Sequence, residues 1–370
     1  AEVNKRGAIL VVAAGNDGQD TSKVAPANCG GSIVVGATDQ EGKRSDFSNY
    51  GKLVDVSAPG SGIMSTVDLG TTVSTGAGYT EYDGTSMAAP YVTGSAALVM
   101  QSHPTYTPAQ VKSALMNTAT HDVSTESGAA YAVDRVGAGR VDTLAAVQSK
   151  SLVYNADKSG TVSLSFGVLE YAPDAGVQTL TREVTVENTD SVAHTYALSY
   201  AESTNIPGVE YSFPSAVTLA PGETKKFELS VRIDPSKLEK TRDPSMYPNQ
   251  DSVNYSTGTV TISGARQYIA SASGRLILTD ADSSATVKTL RMPLHVAPKP
   301  VSAMRVAGSD IAFDAEGSGA TEQTLTLQGT AVDQGGYRSL LGAFELGASS
   351  PRIPTAKLGV GSDSRMDLQY

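Results

Sequence analysis

Residues 86–103 read SMAAPYVTGSAALVMQSH. A helix over this stretch has no polar stripe, because small or apolar side chains fall on nearly every face, and such a helix has to be covered nearly all round. That requirement places it in a layered fold, and it places Pro90 in the first turn, where a missing N–H is tolerated. Upstream, AILVVAA (8–14) and SIVVGA (32–37) are continuous apolar runs ended by Gly or Asn, as expected of strands buried on both faces of a parallel sheet. TPAQVKSALMNTA (107–119) predicts a helix capped by Thr107 with Pro108 at its first position and Val111, Leu115 and Met116 at helical spacing. GAGRVDTLAAVQ (137–148) predicts a last short helix starting near Asp142. Residues 1–150 therefore follow the grammar of an α/β layer fold.

The text then changes. REVTVENT (182–189), HTYALSYA (194–201), KKFELSVRI (225–233) and STGTVTISG (256–264) are short alternating segments separated by Pro, Gly, Asn and Asp, which predicts an antiparallel all-β sandwich. The expected organisation is an α/β domain over 1–150, a linker over 151–164, a β-sandwich over 165–298 and the start of a further β-rich domain over 299–370. VAPKPVSA (296–303) reads as a stiffened joint.

The net charge of −10 offers no basic face to neutralise phosphates, which argues against nucleic acid as a partner. One cysteine, Cys29, makes an intramolecular disulfide impossible, and its small apolar neighbours Ala27 and Ile33 predict a buried, inert thiol. No run reaches the roughly 20 apolar residues of a membrane-spanning helix. No signal peptide is visible, and the opening AEVNKRGAILVVAAGN, without Met, reads as the tail of a helix feeding a strand, so a preceding segment is expected.

The chemistry centres on EYDGTSMAAPYVTG (81–94). A serine hydroxyl is a poor nucleophile unless a base takes its proton and donors receive the oxyanion. Gly84-Thr85-Ser86 puts such a serine at a helix start, where glycine allows close approach and free N–H groups and the positive dipole end face the reacting carbonyl. In VVAAGNDG (11–18), Asn16 falls at the end of a buried strand, where its amide can donate to an oxyanion; AAGN alone is equally a turn.

These two motifs, with VAPANCGGSIVVGA, RSDFSNYG, VDVSAPG and HPTYTPAQVKSALMNTA in order around them, resemble the C-terminal half of a subtilisin-like serine protease from about Val11 to Val147. The resemblance implies an incomplete subtilisin-like parallel sheet with helices and a serine endopeptidase acting on protein or peptide substrates. Ser86 matches the family's nucleophile, Asn16 its oxyanion side chain and the Ser86 N–H the second donor. Gly84, Thr85 and Met87 belong to the same motif, Ala13, Ala14 and Gly15 match one wall of the substrate pocket, and Pro26 and Ala27 fall near its floor. Tyr91 and Ala89 stand where many members have His and Ser, positions expected to pack the helix. The distal segments TREVTVENTDSVAHTYALSY, AVTLAPGETKKFELSV and TLRMPLHVAPKP resemble the fibronectin-III-like domain that follows the catalytic domain in large secreted, mostly bacterial, subtilases.

The family's catalytic Asp and His lie upstream of the oxyanion Asn, and fifteen residues cannot hold both motifs. The missing N-terminal part of the catalytic domain is thus an expected partner. His103 reads as a helix C-cap, His121 as a loop residue, His194 and His295 as strand residues, and Asp17 and Asp83 as turn carboxylates. The motifs point to no particular cofactor. DQE (39–41), NQDS (249–252) and DADSS (280–284) are candidates for structural calcium, or ordinary solvated turns. The alternative function is a non-catalytic secreted surface or adhesion protein on a degenerate protease scaffold.

Overall fold

The computed structural model describes residues 2–120, 123–125, 127–157, 160–239, 243, 245, 249–254, 259–265, 270–307 and 326–330, with 249–254 and 259–265 described by backbone alone. All of them fall in the unit Ala1–Val332. After a short helix α1 (Glu2–Lys5), strands β1 (Val11–Ala13), β2 (Ile33–Thr38) and β3 (Val56–Pro59) form a parallel sheet in the order β1-β2-β3. Its register pairs Val11 with Ile33 and Val35 with Val56. β2 is buried along its whole length, as its unbroken apolar text requires. AILVVAA yields only three strand residues, because Leu10 is exposed and the ladder to β2 begins at Val11. An antiparallel hairpin of β4 (Ile63–Asp68) and β5 (Ala77–Tyr82), not foreseen from the sequence, leads into helix α2 (Thr85–Ser102). Helices α3 (Pro108–Asn117), α4 (Val133–Val136) and α5 (Thr143–Gln148) complete this part. α3 carries the expected Thr107 cap, closed into a capping box by Gln110, and Asp142 caps α5.

α2 departs from expectation. Ala88, Val92, Ala96 and Val99 pack on the sheet and on α3 and α5, whereas Tyr91, Leu98 and Met100 on the opposite side are exposed. Uniform apolarity shows that a helix can be buried all round, but covering layers decide whether it is, and the described residues cover one side. Tyr91 consequently points to solvent rather than packing the helix. Pro90 lies in the second turn, where its missing N–H leaves the Ser86 carbonyl without its i+4 donor. Cys29 is exposed as well, since it sits in a turn-rich loop rather than beside Ile33 in the sheet core.

From residue 151 the chain is β-rich. Strands β6 (Ser151–Asn155), β7 (Leu164–Tyr171), β8 (Gln178–Asn188), β9 (His194–Thr204), β10 (Val209–Ser212), β11 (Ala216–Leu219), β12 (Thr224–Ile233), β15 (Ala272–Asp280) and β16 (Thr289–Pro300) form two sheets, of order β10-β12-β8-β6 and β11-β9-β15-β16-β7. β13 (Asn249–Asn254) pairs with β14 (Thr259–Ala265), and β17 (Arg305–Val306) with β18 (Leu327–Gln328). NQDS is therefore strand rather than loop. Period-two burial is plain in β9, where Tyr196 and Leu198 are buried and Thr195, Ala197 and Ser199 exposed. Side chains from both sheets, among them Val186, Leu229, Leu278 and Leu294, meet in one apolar cluster. One pair, β16 with β7, is parallel and so departs from the expected antiparallel pattern.

The expected linker is not one. Within 151–164, Leu152 and Val162 join the α/β core while Val153 and Leu164 join the core between the two sheets. Alternation along β6 sends successive side chains to opposite faces, so one strand belongs to both cores. The proline-rich joint is likewise structured, because Val296–Pro300 continues β16. Of the further domain expected over 299–370, residues 308–325 and 331–370 lie outside the described residues.

Asn117, at the end of α3 and fully buried, joins the two parts. Its Oδ1 accepts from Val153 N at 2.8 Å, and its Nδ2 donates to the carbonyls of Val153 at 2.9 Å and Arg291 at 3.0 Å. The amide thus satisfies the outer edge of β6, where a further strand would otherwise bond. Replacing Asn117 by Ala leaves these buried groups unpaired and should lower stability by roughly 2–4 kcal/mol, read as a lower urea midpoint. Tyrosines of the sheet region give a second expectation. Burial first, then the Asp280 and Asp190 charges, push the Tyr196 hydroxyl up to about 12. Because the folded state holds this proton more tightly than the unfolded chain, the associated stability is full below the ordinary value of 10.0 and is lost as pH rises towards 12. Urea midpoints measured across that interval should fall, and Tyr196→Phe should flatten the fall.

Candidate active site at the start of helix α2

β1 ends at Ala13, and Ala14 N still donates to Val35 O at 2.9 Å before the chain turns away with Asn16. The turn is held from beneath by Asn49, a buried side chain. Its Oδ1 accepts from Asp17 N at 3.0 Å and Gln19 N at 2.9 Å, its Nδ2 donates to Ala14 O at 2.9 Å, and its backbone N donates to Gly15 O at 2.9 Å. Gly15 has φ +103°, and a Cβ there would overlap the Asn49 amide, so both backbone and packing call for glycine. Arg44 secures the loop that carries Asn49: it donates to the carbonyls of Ser45, Asp46 and Ser48 and lies over the rings of Tyr50 and Tyr131 at 5.5 and 5.4 Å.

Thr85, fully buried in the first turn of α2, determines which way the Asn16 amide faces. Thr85 N donates to Asn16 Oδ1 at 2.9 Å and Thr85 Oγ1 donates to the same oxygen at 2.7 Å, while Oγ1 accepts from Gly15 N at 3.1 Å. A backbone N–H can only face an acceptor, so the oxygen end is pinned and the Nδ2 end turned away with its donors unspent. Ser86 is exposed beside it, and its N–H is among those at a helix start without an intrahelical acceptor. A Cβ built on Gly84 would lie 3.4 Å from Asn16 Nδ2, 3.5 Å from Met87 Sδ and 3.6 Å from Ser86 N. Glycine at 84 therefore keeps open the space that both donors face. Chemically, this is a hydroxyl next to two converging N–H donors at the positive end of a helix, an arrangement suited to stabilising a developing oxyanion.

The other residues expected near the site are less tightly gathered. Ala14 and Ala27 are buried in a small cluster with Val12, Val34 and Val54 on the sheet face opposite α2, Ala13 is half-buried and Pro26 exposed. Asp17 is exposed and accepts from Gln19 Nε2, and Asp83 accepts from Gly62 N at 2.7 Å; both serve turns. No described histidine bonds Ser86. His103 binds Val147 O at 2.8 Å and stacks on Tyr106, His194 lies between Asp280 and Asp190, and His295 contacts Ser165 and Asp134. His121 lies outside the described residues. In the acidic turns, Asp39 accepts from Lys43 N, and Asp280 and Asp282 accept from the amides of Asp282 and Ser284. Among the described residues, no group of three or more His, Cys, Asp or Glu is placed to hold a metal ion.

Residues 1–167 match the subtilase family, Peptidase S8. The chain is 51% identical over 115 residues to an extracellular protease of Xanthomonas campestris pv. campestris, covering 31% of this chain and 20% of that protein. It is 43% identical over 148 residues to an extracellular basic protease of Dichelobacter nodosus, covering 39% and 23%, and 45% identical over 118 residues to subtilisin E of Bacillus subtilis, covering 31% and 29%. The matches thus span less than a third of these relatives' own lengths. The likeness to the subtilase family is thus carried by the α/β part and the start of the β-rich part.

Asn49 was missed from the sequence as a site residue. RSDFSNYG carried the family likeness, but no periodicity marks a lone Asn in a loop as a buried hub. Asn49→Ala should leave two loop N–H groups and the Ala14 carbonyl without partners and cost roughly 2–4 kcal/mol. Hydrogen exchange checks it: the amides of Asp17 and Gln19 should lose protection before those of β2 do.

Proposed function

We propose that the chain is the C-terminal portion of the catalytic domain of a secreted bacterial subtilisin-like serine endopeptidase, followed by a fibronectin-III-like β-sandwich. Ser86 attacks the scissile carbonyl of a protein or peptide substrate, and Asn16 Nδ2 with the Ser86 N–H receives the oxyanion of the tetrahedral intermediate. Water then releases the acyl group. The aspartate and histidine of the triad are assigned to a part of the catalytic domain that this chain does not carry, so the chain alone is expected to be nearly inert. Ala13, Ala14 and Gly15 supply a wall of the substrate pocket chiefly through backbone, since Ala14 turns its side chain into the core; Pro26 and Ala27 lie towards its floor. The extracellular proteases among its relatives support secretion.

The observation that carries this proposal is the pinned Asn16 oxygen, which leaves the amide nitrogen to face the same space as the Ser86 N–H. In an enzyme that combines this chain with the aspartate- and histidine-bearing part, Ser86→Ala should abolish peptide hydrolysis. Asn16→Ala should lower kcat about 10²–10³-fold with little change in KM, because the donor acts on the transition state. Gly84→Ala should lower kcat by placing a methyl group between the donors. Peptide hydrolysis that survives Ser86→Ala would overturn the assignment.

A further inference from the structure

A second serine meets a base far from Ser86. Ser165, on β7, is exposed, and its Oγ lies 3.0 Å from Nδ1 of His295, its register partner on β16. The other ring nitrogen, Nε2, faces Asp134 Oδ2 at 3.6 Å, and Ser271 Oγ donates to Asp134 Oδ1 at 3.2 Å. Asp134 belongs to α4, which packs against β15 and β16, so the three residues come from three separate elements. They line a cavity of about 610 Å³ together with Ser163, Ser271 and Pro293.

The contacts favour one proton arrangement. A carboxylate facing Nε2 draws the imidazole proton to that side, which leaves Nδ1 as the acceptor. Gly167 N donates to Ser165 Oγ at 3.1 Å, so this oxygen already receives one hydrogen bond, and its own proton is free to point at Nδ1. Burial pulls His295 below the ordinary histidine value more strongly than Asp134 raises it, which keeps the ring neutral and basic at neutral pH. Lys52 and Asp55 line the same cavity, and the facing side chains of Ser165 and Ser271 carry no charge. A nucleophile within hydrogen-bond reach of a base, itself oriented by a third group, is the general signature of an activated hydroxyl.

We propose that Ser165 is a second nucleophilic serine, with His295 as its base and Asp134 as the residue positioning the imidazole, which accepts acyl or phosphonyl groups from small activated esters entering the cavity. The Oγ–acyl bond forms as the ester C–O bond breaks, and the hydroxyl proton passes to Nδ1 and then to the departing alkoxide. With a fluorophosphonate, the Oγ–P bond forms, the P–F bond breaks and fluoride leaves, while Nδ1 takes the proton.

The test uses the full chain with Ser86→Ala, which removes the other candidate nucleophile. The chain is exposed to a fluorophosphonate and the adduct mapped by peptide mass spectrometry. The expected result is an adduct on Ser165 whose rate rises with pH through a single titration below the ordinary histidine value. Adding His295→Gln should slow it about 10²-fold or more, the typical contribution of a general base. Asp134→Asn should slow it less and shift the pH midpoint, which a purely structural role would not do. An unlabelled Ser165 overturns the proposal, as does labelling at an unchanged rate in His295→Gln. If His295→Gln fails to fold, a flat pH profile in the Ser86→Ala chain overturns it equally.

Discussion

The Thr85 hydroxyl is the point at which sheet and helix are joined. It accepts from Gly15 N, donates to Asn16 Oδ1 and sits in the first turn of α2, so a single buried group ties the end of β1 to the start of that helix. Asn49 holds the same turn from the other side and leaves Gly15 no room for a side chain. With both in place, the Asn16 amide has one orientation available. The order of the site follows from hydrogen-bond chemistry: a flipped amide would set Asn16 Nδ2 against the Thr85 N–H, donor against donor.

The α/β layer and the β-rich part are fused rather than strung together. β6 contributes Leu152 to one core and Val153 to the other, Asn117 bonds the outer edge of that strand, and Arg275 Nε donates from β15 to Ala138 O at 2.9 Å. The five-stranded sheet is buried on both faces where α3 and α4 reach it, which explains why β15 and β16 carry the near-continuous burial usually found in parallel sheets. His295 and Ser165 lie where the two parts meet, on strands that place these two residues 130 positions apart in sequence.

Local chemistry made much of this legible in advance. The Thr107–Pro108 start of α3, the Asp142 cap of α5, the buried run of β2 and the alternation in β9 are all short-range signals, and each stands where its residues put it. The G-T-S start of α2 and the Asn after β1 were legible for the same reason. What failed depended on distant neighbours. Prolines at 298 and 300 are a joint signal, yet the strand continues through them, and Cys29 has apolar neighbours in sequence but stands exposed in space.

The sequence by itself determined the residue types of the site, the strand and helix segments that carry them, and the change from layered α/β text to alternating β text, because propensity, capping and periodicity act within a few residues. The tertiary structure alone decided that α2 is covered on one side, that residues 151–164 serve two cores, that Asn49 and Thr85 fix Asn16, and that Ser165, His295 and Asp134 meet. Burial and hydrogen-bond pairing are set by what packs from far along the chain, and no local pattern encodes that partner.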